Sequence, residues 1–154
     1  MFKRYTLWLW IAIVLMLLNA AVHSVTLFIQ PAPQNEIERQ LVHLMTTYRN
    51  DFGAGFHPTP QNLFTALSSC FSLLYLLGGL MNAYLIKKRV GPEIMRGVIV
   101  IDVLVFGISF VVMAVFTFLA PIVLTGLIAL FLVLALLAVL RSSNIDNGRD
   151  RLSP

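Results

Sequence analysis

GVIVIDVLVFGISFVVMAVFTFLAPIVLTGLIALFLVLALLAVL, residues 97–140, runs for 44 residues with one charged side chain, Asp102. As a single helix it would extend about 66 Å, roughly twice the thickness of a bilayer's hydrocarbon core. The chain must therefore fold back within it. Pro121 marks the place, because proline fits the first turn of a helix and breaks the interior of one. Two spans are predicted here, 97–119 and 121–140. Working outward, apolar runs of crossing length also occupy 6–29 and 63–86, so the expected fold is an all-α polytopic membrane protein. It is read as a four-helix transmembrane bundle forming a single domain over residues 1–154.

Composition agrees. Charged residues make up 12% of the chain and mean hydropathy is +0.86, whereas about a quarter of a soluble domain is charged. With 154 residues in all, four spans leave no room for a separate soluble catalytic domain. Cys70 is the single cysteine, which rules out an intrachain disulfide and makes a cysteine-built metal site or iron–sulfur cluster a poor fit. Among apolar and small neighbours it is expected to be a buried space-filler.

The sequence pI of about 9.6 does not point to nucleic acid, because the basic residues flank the apolar runs and form no patch interleaved with aromatics. They read as topology signals. Lys3, Arg4, Lys87, Lys88, Arg89, Arg96, Arg141, Arg149 and Arg151 share one side, and Arg39 and Arg49 lie on the other. The positive-inside rule then places both termini, including the tail 141–154, in the cytoplasm. Trp8 and Trp10 fit the aromatic belt near that boundary. The opening MFKR and its apolar run resemble a signal peptide, but the run exceeds a typical signal core and no small-x-small cleavage site follows, so it is read as a retained span. The expected location is a bacterial inner membrane, multi-pass.

The first loop, residues 30–62, is long enough to hold structure of its own. Asn35 with Glu38 three residues on is a capping-box start, and Ile37, Leu41, Leu44, Met45 and Tyr48 recur at helical spacing. A short amphipathic helix is predicted, on the outer membrane face or as a lid over the helix ends. In the following YRNDFGAGFHPTPQN, residues 48–62, Gly53 and Gly55 free the backbone to turn, and Phe52 and Phe56 are expected to wedge into the bundle.

Polar residues inside a span are costly unless they face another helix or a hydrated cavity, so they mark the interior. Thr65, Ser68, Ser72, Tyr75, Gly79 and Asn82 form a seam at steps of three and four along the second span. The fourth span is nearly all aliphatic and is expected to have the largest lipid-facing surface. Asn19 and His23 share a face of the first span at depths that match Ser68, Ser69 and Ser72. This predicts an outer-side polar cluster of Asn19, His23, Thr65, Ser68, Ser69 and Ser72, roofed by Tyr48, Arg49, Asp51 and His57, a candidate binding site for a lipid-like ligand. Asp102 lies about 20 Å further in by helix rise, near Asn82 and the end of Arg96, and forms a separate inner polar site.

A first span ending in His23-Ser24, a long outer loop, and Asp51-Phe52-x-x-Gly55-Phe56 before the second span resemble a small, largely uncharacterised family of bacterial four-helix integral membrane proteins. That resemblance implies a single four-helix bundle and no established activity. Val22 stands where the family usually has glycine.

The residues favour a non-enzymatic accessory, scaffolding or lipid-contacting protein, with the bilayer and other membrane proteins as partners. No catalytic residue, metal site or cofactor is assigned. A strained serine turn, paired metal-ligand spacing and inverted repeats are all missing from the sequence. The alternative is a membrane enzyme or binding protein for a hydrophobic ligand at His23. Haem is the rival use of His23, His43 and His57, two of which would have to converge on one ring. The topology is testable: in a Cys70-free background, single cysteines across 30–60 should be labelled from outside and those from Lys87 to Arg96 from inside, and the reverse pattern would invert the assignment.

Overall fold

A computed structural model of the chain describes residues 4–29 and 32–150, with side chains described from 5 to 141 within those limits. The described residues form five helices and no strand: α1 (Arg4–Thr26), α2 (Glu36–Thr47), α3 (Pro60–Lys87), α4 (Pro92–Phe116) and α5 (Leu119–Asp150). Four of them, α1, α3, α4 and α5, are long and apolar enough to cross a membrane. The chain is a multi-pass membrane protein. Its contacts divide it into two compact units, one of Met1–Asn19 with Tyr75–Pro154 and the other of Ala20–Leu74; α1 and α3 pass through both.

Helix ends follow local chemistry more closely than hydropathy. α3 starts at Pro60, three residues before the predicted span, because the Thr59 side chain accepts from the Asn62 N–H and proline suits the first helical position. α4 likewise begins at Pro92, after Gly91. The reversal inside 97–140 comes at Thr117, whose N–H caps the Met113 carbonyl, and Pro121 sits in the first turn of α5. α5 continues past residue 140 into the predicted tail as far as Asp150. α1 stops at Thr26, where the Thr26 hydroxyl donates to the His23 carbonyl and the chain tightens through Phe28 N–H to Val25 O.

The first unit contains part or all of the four spanning helices, and each neighbouring pair is tied by a specific contact. Leu17 and Met16 of α1 lie against Gly79 of α3. Phe106 of α4 lies over Gly78 of α3, Phe110 of α4 over Gly126 of α5, and Trp8 of α1 stacks on Phe131 of α5 at 5.9 Å. The ring of helices closes in the order α1, α3, α4, α5. Its buried residues recur at alternating steps of three and four: Tyr5, Leu9, Ala12, Met16 and Asn19 on α1; Tyr75, Gly79 and Asn82 on α3; Met95, Ile99, Asp102 and Phe106 on α4; Thr125, Ile128, Leu132, Ala135 and Val139 on α5. Alternating steps of three and four are the spacing of a coiled-coil seam.

Two expectations about surfaces are corrected. The least buried span is α4, with 17% of its most apolar window inside the protein against 28% for α5. α5 is aliphatic on every face, so composition could not show that its 125–139 stripe is the inward one, whereas α4 turns Leu104, Ile108, Val111 and Val115 outward. Cys70 is exposed and not a buried filler.

The glycine contacts give a stability test. A Cβ on Gly79 would sit 2.9 Å from Leu17 Cδ2 and 3.5 Å from Met16 Cβ, so a larger side chain must displace the Leu17 side chain or push α1 and α3 apart. Gly79→Leu is expected to lower stability by about 1–3 kcal/mol or more, while Leu76→Ile, at an outward position, changes it little. Equal thermal unfolding of the two variants in detergent would remove Gly79 from the interface.

Candidate functional site

Within the first unit, the polar residues of α3 and α4 meet as rungs. Tyr75 and Ser109 share a hydrogen bond between hydroxyls at 2.9 Å, the Tyr75 ring tilts against Phe106 at 5.0 Å, and further along the Asn82 Nδ2 donates to Asp102 Oδ2 at 2.7 Å. Residues on α3 advance 75, 78, 82 as those on α4 descend 109, 106, 102. The same Asn82 nitrogen donates to the Gly78 carbonyl at 2.9 Å. Two acceptors around the nitrogen fix the amide's orientation, because the flipped form would place its oxygen against both. Asn82 is fully buried and Asp102 nearly so, and the Asn82 Oδ1 has no partner.

Asn82 and Asp102, predicted as an inner polar pair, are thus in direct contact. Both occupy seam positions. A polar residue at one seam position lowers stability and fixes the register of the helices, since any slide leaves it without its partner. Arg96, one turn and a half earlier on α4, is exposed. Sequence reasoning missed Ser109, whose signal was available: it lies seven residues beyond Asp102 on the same heptad face.

The residues of the predicted outer cluster fall in both units. In the second unit His23, on α1, packs its ring edge-on against Phe71 of α3 at 5.0 Å and lies beside the Ser68 main chain. Its Nε2 is buried without a hydrogen-bond partner, and so is the Ser72 Oγ. Thr65 and Ser68 are half-buried, and the Ser69 hydroxyl donates back to the Thr65 carbonyl at 2.7 Å, within α3. Asn19 belongs to the first unit, where it is buried with its Nδ2 unpartnered. Phe71, which forms a wall of the histidine's environment, gave no sign in a sequence where aromatics are common.

The four roof residues are held by their own loop. Asn50 N–H donates to Pro58 O, Phe52 N–H to Phe56 O and Phe56 N–H to Gly53 O, closing residues 50–58 into a hairpin-like turn. Gly53, Ala54 and Gly55 all have left-handed φ values, of 77°, 51° and 80°, a run that glycine makes accessible at its two ends. Asp51 Oδ1 accepts from the Gly53 N–H at 2.8 Å and faces His57 Nδ1 at 3.8 Å, and Arg49 Nη1 donates to the His57 carbonyl at 3.4 Å. Tyr48, Arg49, Asp51 and His57 are all exposed. The Asp51 carboxylate is therefore engaged by Gly53 and His57. Phe52 and Phe56 are 64% and 70% exposed and do not wedge into the bundle; the turn that closes the loop carries both rings outward.

The three histidines lie on different elements, His23 on α1, His43 on α2 and His57 in the loop, and no group of three or more His, Cys, Asp or Glu capable of holding a metal occurs among the described residues. No protein-family model, curated protein or solved structure matches the chain.

The Asn82–Asp102 pair predicts non-additive energetics. Asn82→Leu leaves a buried carboxyl without its donor and Asp102→Leu leaves a buried amide short of an acceptor, and each should cost about 1–3 kcal/mol. The double variant should lose clearly less than the two together, because an apolar pair of similar size leaves nothing unsatisfied. Additive losses in a double-mutant cycle would show that the contact contributes nothing.

Proposed function

We propose that the protein is a non-enzymatic accessory or scaffolding component of a bacterial inner membrane, with both termini cytoplasmic, acting through contact with lipid and with neighbouring membrane proteins. The observation that carries this reading is where the polar chemistry of the spans is spent. Tyr75, Ser109, Asn82 and Asp102 engage one another across the α3–α4 seam, while the outward side of α4 is a continuous apolar stripe of Ile101, Leu104, Ile108, Val111 and Val115. Gly107 has open space beside it within that surface, which leaves room for an acyl chain or another helix to approach the α4 backbone. The excess of Lys and Arg on the side of the termini supports the orientation. The resemblance to small four-helix bacterial membrane proteins is consistent with it.

A second reading rests on the unpartnered His23 Nε2 and Ser72 Oγ. Buried polar atoms without partners are unusual, and a lipid-like ligand with a carbonyl or hydroxyl headgroup would satisfy them. Haem remains a more distant alternative, for which an absorbance spectrum of the purified protein is the check.

His23→Leu separates the two readings, since it roughly keeps the volume while deleting the imidazole's polar atoms. Under the first, stability changes little, because the Nε2 has no partner to lose, and crosslinking to neighbours in native membranes persists. Under the second, native mass spectrometry shows a small molecule on the wild type that is lost from the variant while the fold survives. Such a loss would overturn the first reading.

A further inference from the structure

We propose that α2 is an interfacial helix, lying in the plane of the bilayer surface with Ile37, Leu41, Leu44 and Met45 sunk among the lipid chains. This rests on the reading of the protein as membrane-spanning and adds a second mode of lipid contact to it.

The helix is formed by its own sequence. The Asn35 side chain accepts from the Glu38 N–H at 2.8 Å, Glu38 Oε1 accepts from Asn35 Nδ2, and its Oε2 accepts from the Gln34 N–H at 2.7 Å. Both ends of the capping exchange are satisfied locally. At 100° per residue, Leu44, Ile37, Tyr48, Leu41 and Met45 fall on one arc and Arg39, His43, Glu36, Thr47 and Gln40 on the opposite one. The lid expected over the helix ends is not what the structure holds: α2 buries no residue, and Ile37, Leu41 and Leu44 are 79%, 56% and 58% exposed.

Three observations favour lipid as the occupant of that face. First, α2 is tethered on both sides to spanning helices, by residues 27–35 from α1 and 48–59 to α3, so it is held within reach of the bilayer at a high effective concentration. Second, the apolar surface continues onto both tethers: Phe28 and Ile29 after α1, and Leu63, Phe64 and Leu67 on the first turns of α3, are exposed in the same unit. Tyr48 caps the end of α2 where its amphipathic ring suits the headgroup level. Third, the polar face is internally neutralised. Arg39 pairs with Glu36 at 3.2 Å and Glu38 is committed to the cap, so no excess of positive charge is available to seek anionic headgroups. Burial of apolar area drives the insertion, and zwitterionic lipid suffices.

The test uses the full chain with Cys70→Ala in phosphatidylcholine nanodiscs. Nitroxide labels are placed singly at Ile37→Cys, Leu41→Cys and Leu44→Cys on the apolar arc, at Gln40→Cys and His43→Cys on the polar arc, and at Val111→Cys on α4 as a reference. The ratio of oxygen to nickel-chelate accessibility should be several-fold higher on the apolar arc than on the polar arc, and it should not change when anionic lipid or salt is added. Nickel access at all five α2 labels would overturn the proposal and leave the face open to water or a soluble protein partner. Shielding of the apolar arc from both reagents would overturn it in favour of packing against protein. Nickel access at Val111 would instead defeat the membrane-spanning reading itself, so the two failures are distinct.

Discussion

Hydrocarbon supplies no hydrogen bonds, and the organisation of this protein follows from that. Each spanning segment must pair its peptide groups within itself, which leaves the α-helix as the form available to a chain without closed strands. The same condition then sorts side chains. Several polar groups on the spanning helices are held at the seam or against their own backbone, and the seam is where α3 and α4 bring Tyr75 to Ser109 and Asn82 to Asp102. Sliding α4 by one heptad in one direction would set Asn82 opposite Met95 and bring Ile99 to Gly78 in place of Phe106. Asn82 would lose its acceptor while Asp102 moved to the level of the Tyr75 hydroxyl, and the flat gap above Gly78 would lose the ring that fills it. Polar pairing and shape thus select the same register, whereas lipid, as apolar as leucine, provides no such discrimination.

Much of this was legible in the sequence because membrane helices are set by length and polarity, both of which can be counted. The fold-back within 97–140 followed from a thickness, and the α3 seam from residues too polar or too small to face lipid. Helix starts at Pro60 and Pro92 were written in Thr59-Pro60 and Gly91-Pro92, signals that outrank hydropathy because they act on the backbone directly. What could not be read was the rotation of a helix that is apolar all round. α5 keeps a regular 125, 128, 132, 135, 139 stripe inward, yet its other faces are equally aliphatic, so periodicity carries no contrast. The same limit applied to Phe71 beside His23, one aromatic among many.

The predicted outer cluster shows a different limit. Depth along a helix follows directly from the rise per residue, and it placed His23 near the level of Ser68 and Ser72. Partnership does not follow from depth, because a hydroxyl on a helix has its own backbone as a competing acceptor. Ser69 takes that option, bonding to Thr65 O, and Thr125 does the same with Pro121 O at 2.8 Å. Each such bond satisfies a serine or threonine within its own helix and removes it from the pool that could line a site. Loop carboxylates behave alike. Asp51 is used by the turn it starts, and Glu38 by the helix it caps.

Local satisfaction of this kind explains why the second unit displays so much apolar surface. The 50–58 turn and α2 complete their polar chemistry internally, through Asn50 to Pro58, Phe52 to Phe56 and Asn35 to Glu38, and so have few hydrogen bonds left to make with anything else. What they still present is Ile37, Leu41, Leu44, Phe52 and Phe56, all outward. In a soluble protein an array of that size would be covered by a partner or would drive aggregation. Between two membrane spans it meets a surface that is already there, and a segment whose polar groups are paired within itself can lie against that surface without giving up the bonds that hold it together.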